Sequence, residues 1–305
     1  MELFLPSTPS AIMLFITLSY GLTVILFVLW RLFFADKTPS KESSEAKVLV
    51  SPPLSAVMVL AMFMPLLSLY LLSLVYHRIQ DFMEFVFAWL RLDMRSLVVF
   101  LLAPIPPIAA LIIYVEVVRA MDMLKVEVLE RMIGCRSLAS VRALRLLGMG
   151  YAAGVTANAL VAVGEEMGWR AYLTPSLASR VGLLIAVVIV GVVWGLWHTP
   201  LVLSIRSLIE KLFPWASTKL VIMNYVVSCT ILSYPLYLLL ASSRSVLPPA
   251  AFHGTMNALW QIPQFVTGIS DKHRYRDMAK AALASIIAWS IALLVTLVLV
   301  RLVSV

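Results

Sequence analysis

VGLLIAVVIVGVVWGLWHTPLVL, Val181 to Leu203, decides the class of this chain. It holds no carboxylate, lysine or arginine, and its length matches what a helix needs to cross a hydrocarbon layer of roughly 30 Å. A soluble globule has no use for such a helix as a surface element, because every face of it is apolar. Five further runs read the same way: Ser10–Phe34, Leu54–Tyr76, Leu97–Val118, Leu220–Ala241 and Ala281–Val303. Two weaker ones, Gly150–Ser176 and Leu247–Ile269, are long enough to span but carry polar interruptions. The expected fold is therefore all-α: a polytopic membrane helix bundle of about eight transmembrane helices, integral and multi-pass.

Composition agrees. Of 305 residues, 62% are hydrophobic and 13% charged, with a mean hydropathy of +0.97, whereas soluble domains sit near 45–50% apolar and about 25% charged. The net charge of +8 reads as loop lysines and arginines at the membrane surface rather than as a nucleic-acid surface. Most of these cations fall in alternate loops, which places both termini outside. Two cysteines in unlike settings, Cys135 in a basic loop and Cys229 in a span, predict neither a disulfide nor a metal–thiolate site. The first apolar run has almost no positive charge before it and no small-residue cleavage site, so it reads as a retained helix rather than a leader.

By motif content the chain divides at 148/149. Residues 1–148 hold three spans and an amphipathic loop, and residues 149–305 hold five spans with all the unusual polar groups. Asp36–Ser51 reads as a charged linker, and His77–Ser96 as a helix lying along the interface. "DMLKVEVLERMIG" predicts a surface helix stopped at Gly134.

An ionisable side chain inside a bundle costs a few kcal/mol on insertion scales (about 2.5–3.5) and marks a site by default. Here the list is short. "VAVGEEMGWRAYLTP", Val161–Pro175, places Glu165, Glu166 and Arg170 in one span. "VVWGLWHTPLVL" adds His198, with Trp194 one turn before it, and "PPAAFHGTMNALW" adds His253 and Asn257. Glu116, near a span end, has Arg119 three residues on and reads as an anchoring pair. On a helix Glu166 and Arg170 are four apart and share a face, whereas Glu165 is rotated off it. One glutamate can thus be neutralised locally while its neighbour points elsewhere. His253 and Asn257 are also one turn apart. A carboxylate, two imidazoles and an amide can activate water and stabilise an oxyanion. Alternatively, His198, His253 and Glu165 could hold a catalytic zinc. Equally, the same groups could be packing or ligand contacts in a non-catalytic scaffold, an immunity protein or a transporter.

The three motifs resemble those of a known family. "EEMGWR" is similar to EExxxR, "WGLWH" to FxxxH and "HGTMN" to HxxxN, in that order, as in the CPBP (Abi) family of intramembrane glutamic endopeptidases, which includes the Ras-converting CAAX prenyl endopeptidase. The second motif departs from the pattern, with Trp194 standing where the family has phenylalanine. The resemblance implies a metal-independent, cofactor-free protease. In it Glu165 activates water assisted by His198, Glu166 and Arg170 orient their helix, and His253 and Asn257 stabilise the oxyanion. Trp194 would wall the cavity. The implied partners are a peptide or protein substrate, prenylated in some relatives, and the lipid bilayer, with no nucleic acid. Convergence of Glu165, His198, His253 and Asn257 on one cavity is the accompanying expectation.

Overall fold

The structure is a computed structural model and describes residues 5–34, 52–138 and 140–303. The linker read at Asp36–Ser51 lies outside them. In chain order the helices are α1 (Pro9–Phe34), α2 (Pro52–Met62), α3 (Met64–Val75), α4 (Ile79–Trp89), α5 (Met94–Leu102), α6 (Ile105–Ala120), α7 (Val126–Ile133), α8 (Ala143–Gly154) and α9 (Ala157–Glu166). A π-helical segment, Met167–Leu173, follows and leads into α10 (Thr174–Val181), α11 (Leu183–Trp197), α12 (Thr199–Ser204), α13 (Arg206–Leu212), α14 (Thr218–Ser243), α15 (Leu247–Leu259), α16 (Ile262–Val266) and α17 (Arg274–Val303). Among the described residues the only extended pairing is an isolated bridge between Leu124 and Thr267.

This is an integral, multi-pass, all-α membrane protein. Among the described residues, five helical stretches are long and apolar enough to cross alone: Pro9–Phe34, Met94–Ala120, Leu183–Ser204, Thr218–Ser243 and Asp271–Val303. Two bent pairs, α2 with α3 (46°) and α8 with Ala157–Val181 (49°), raise the number to seven if each counts as one span. The expected count of eight is thus not confirmed among the described residues. The shortfall lies at Leu247–Ile269, which forms a helix of 13 residues and another of 5. At 1.5 Å per residue the longer piece reaches only about 20 Å, short of a full crossing.

Two compact units make up the chain, 1–89 with 163–233, and 90–162 with 234–305. The division by motif content at 148/149 is a different cut from this one. In the first unit α1 packs on α2, α3 and α12, and α10 packs on α11. Phe15 of α1 meets Trp169 and Tyr172 edge-on, with centroids 5.6 and 5.0 Å apart. From the middle of α1, Thr23 accepts the indole N–H of Trp197 at 2.9 Å, and the Tyr20 hydroxyl donates to the Val193 carbonyl at 2.6 Å. The surface helix α4 buries Phe82, Phe85 and Trp89 at helical spacing, as the pattern at His77–Ser96 predicts.

In the second unit α17 lies along α6, while α15 packs on α5, α6 and α8. α7 ends where the sequence places its stop, with Gly134 left-handed at φ 71° and its N–H donating to the Glu130 carbonyl. The Glu116–Arg119 anchor forms at 2.9 Å, and Glu116 also accepts from the Ser137 hydroxyl at 2.9 Å.

Candidate active site

The EExxxR stretch is buried without interruption from Ala162 to Thr174, so this helix presents no face to lipid. Two glycines one turn apart make such burial sterically possible. A Cβ on Gly164 would stand 2.5 Å from the Met62 carbonyl oxygen, and one on Gly168 would stand 2.5 Å from the Pro65 side chain. The bend between α2 and α3 therefore rests directly on the motif backbone. Immediately after the two glutamates the helix widens into its π turn. There the Thr174 N–H reaches the Trp169 carbonyl, and the Thr174 hydroxyl donates to the same oxygen at 2.8 Å. π turns of this kind concentrate at functional sites.

The two glutamates have different partners. Arg170 Nη1 donates to Glu166 Oε1 at 3.1 Å, and both side chains are fully buried. This is the i,i+4 pair read from the sequence. Glu165, 2% exposed, instead accepts from the indole Nε1–H of Trp194 on α11 at 2.5 Å. The guanidinium carbon of Arg170 lies 3.8 Å from the centre of that indole ring, an arrangement in which the ring's negative face partly offsets the buried cation. Among the described residues, the buried Nε and Nη2 groups of Arg170 find no hydrogen-bond partner. So the arginine is held by one carboxylate and one aromatic face.

His198 sits where α11 gives way to α12, a break imposed by Pro200 in the first turn of the following helix. Its Nδ1 lies 2.9 Å from the Trp194 backbone carbonyl. A carbonyl only accepts, so Nδ1 carries the proton, and in the neutral ring the lone pair is then on Nε2. The imidazole stacks on Tyr225 of α14 at 4.4 Å and 15° and meets Trp197 edge-on at 5.1 Å. α11 can bring its ring-bearing end this close to α14 because Gly191 and Gly195 present no side chain. A Cβ on either would lie 2.4 Å from a Cα of α14, that of Thr230 or Val226. In the first unit the structure thus brings together Glu165, Glu166, Arg170, Trp194 and His198 through direct contacts.

His253 and Asn257 belong to the second unit and occupy successive turns of α15. His253 is buried at 2% exposure and Asn257 is exposed. The backbone between them is fixed from α8 and α9. Asn158 Nδ2 donates to the Gly254 carbonyl at 3.1 Å, and a Cβ on Gly254 would lie 2.7 Å from the Ala159 nitrogen. Gly154 is closer still to Thr255, whose Oγ1 would be 1.7 Å from an added Cβ. By sequence alone, the small residues of "GYAAGVTANALVAVG", 150–164, predict a helix lining a wet cavity. Gly150 and Gly154 instead serve as the bed of α15, against Leu259 and Thr255.

Sequence reasoning missed Tyr225 and Asn158. Asn158 was legible as a lone amide in an apolar run. Nothing near Tyr225 in the sequence marks it as the stacking partner of a histidine on another helix.

Residues 148–259 match the sequence profile of the family described as type II CAAX prenyl endopeptidase Rce1-like, a stretch that includes all three motifs. The chain is also similar to "CAAX prenyl protease 2" of Methanococcus maripaludis, 43% identical over 54 residues, which cover 18% of this chain and 20% of that protein. The aligned part is thus about a fifth of the length of the curated relative. It is with the Rce1-like family of type II CAAX prenyl endopeptidases that this chain shares its motif-bearing segment.

Proposed function

We propose that this protein is an intramembrane endopeptidase that hydrolyses a peptide bond with water activated by a glutamate. Glu165 takes a proton from water, and the resulting hydroxide oxygen adds to the scissile carbonyl carbon. The C–N bond of the tetrahedral intermediate then breaks, and the departing amine receives a proton. His198, with its lone pair assigned to Nε2, assists the proton transfers. His253 and Asn257 donate to the oxyanion, a role that rests on the HxxxN resemblance. Glu166 and Arg170 hold the helix that carries the base.

The observation that carries this reading is the separation of the two glutamates. Glu166 is committed to the cation, while Glu165 is held by a neutral donor. Held by a donor from another helix in a water-poor setting, such a carboxylate is placed where general-base catalysis can use it. The matched family and the name of the archaeal relative favour a substrate cleaved near a prenylated C-terminus, so the substrate class we assign is a membrane-bound, C-terminally lipidated peptide. Incubating a peptide library, with and without C-terminal prenylation, with wild type and with Glu165→Gln tests the proposal by mass spectrometry. Products from wild type alone support it. Products from both, or from neither, remove it.

A further inference from the structure

Trp194 makes a separate contact to each of the neighbouring groups of its unit. Its N–H donates to Glu165 at 2.5 Å, its ring face carries the Arg170 guanidinium at 3.8 Å, and its backbone carbonyl accepts from His198 Nδ1 at 2.9 Å. Arg170 is in turn paired with Glu166, so the adjacent glutamates are linked through Arg170 and Trp194. The indole is 1% exposed, and the glycines beside it and one turn before it seat α11 on the α14 backbone. The donor is therefore fixed in place by helix packing and not by its own rotamer alone.

We infer that Trp194 is a positioning residue for the general base: its indole N–H fixes the Glu165 carboxylate in the orientation that accepts water's proton. This rests on the reading of Glu165 as the base. A neutral donor suits the task, because it orients the carboxylate without the strong pairing that an arginine would impose. Phenylalanine, the residue of the related motif, would preserve the face under Arg170 but has no N–H to donate. Dependence on this hydrogen bond is thus a property of the present chain that the motif pattern does not carry.

The test uses the full chain with β-(3-benzothienyl)alanine at position 194, which keeps the shape of the bicyclic ring and replaces N–H by sulfur, alongside Trp194→Phe. We expect kcat to fall by up to about 100-fold, the scale of a misplaced catalytic group, with KM and melting temperature unchanged. A second readout needs no activity. The indole N–H resonance of 15N-labelled protein that vanishes in Trp194→Phe is that of Trp194, and it should shift in Glu165→Gln. An analogue with wild-type kcat, a kcat that falls only together with stability, or a resonance indifferent to Glu165→Gln would each overturn the inference. If Glu165→Gln itself cleaves at the wild-type rate, the proposed function fails instead, while the resonance still reports on the hydrogen bond.

Discussion

Replacing Glu166 by glutamine strikes a fully buried ion pair of the first unit. Arg170 would keep its charge with both side chains shielded from water. Removing one partner of a buried pair typically costs about 3–5 kcal/mol, because it strands the other charge. Two features reduce that figure here. The glutamine carbonyl can still accept from Nη1, and the Trp194 face beneath the guanidinium offsets about 0.5–2 kcal/mol. The expected loss is then roughly 1–4 kcal/mol. It should be read as a lower midpoint of denaturation in detergent, with protein yield as a check. Glu165→Gln keeps an acceptor for the indole and leaves the Glu166–Arg170 pair in place, so it should unfold within about 0.5 kcal/mol of wild type, the usual range for changes that break no buried pair. If Glu166→Gln matched wild type in stability, or if Glu165→Gln were the more damaged of the two, the division of labour between the glutamates would be wrong.

Asn257→Ala should lower kcat by roughly 100- to 1000-fold with KM little changed, the usual cost of one lost oxyanion donor, whereas a rise in KM alone would make the amide a binding group. Gly195→Leu should prevent stable folding, because even a Cβ would meet the Val226 Cα at 2.4 Å, and a well-folded variant in detergent chromatography would contradict the packing. At the membrane surface, Asp93 caps α5 by accepting from the Ser96 N–H. That bond, with Arg91 alongside, brings its carboxyl down from 3.8 to about 2. A depressed carboxyl stabilises the fold above its unfolded value and loses that contribution as pH falls through about 2. Asp93→Asn should therefore keep the cap but lose this acid-dependent part of stability, as followed by circular dichroism between pH 5 and about 2, since asparagine is an equally good capping residue.

What the sequence made legible was whatever depends on local spacing. Glu166 and Arg170 are neighbours on any helix, so their pairing could be read in advance, and so could the stop at Gly134 and the buried stripe of Phe82, Phe85 and Trp89. The π turn after Glu166 could not, since no local spacing marks the bonds from the Thr174 N–H and hydroxyl to the Trp169 carbonyl. Long-range partners were equally hidden. Trp194 stands out in the sequence as a departure from its motif, but that it donates to Glu165 follows only from how α11 seats against the motif helix. The stacking of Tyr225 on His198 depends on Gly191 and Gly195 letting α14 approach, and no pattern within either helix states it. The eighth span is the one left unconfirmed, because hydropathy averages over Leu247–Ile269 without registering that the helix stops at Leu259.

The most direct test of the central claim is a cleavage assay of Glu165→Gln beside wild type, each with and without a strong chelator, on a prenylated peptide in detergent or bilayer. The account predicts cleavage by wild type that persists in chelator, no cleavage by Glu165→Gln, and equal melting temperatures for the two proteins. Cleavage by Glu165→Gln at the wild-type rate would contradict it. So would wild-type activity lost on chelation and restored by one equivalent of zinc.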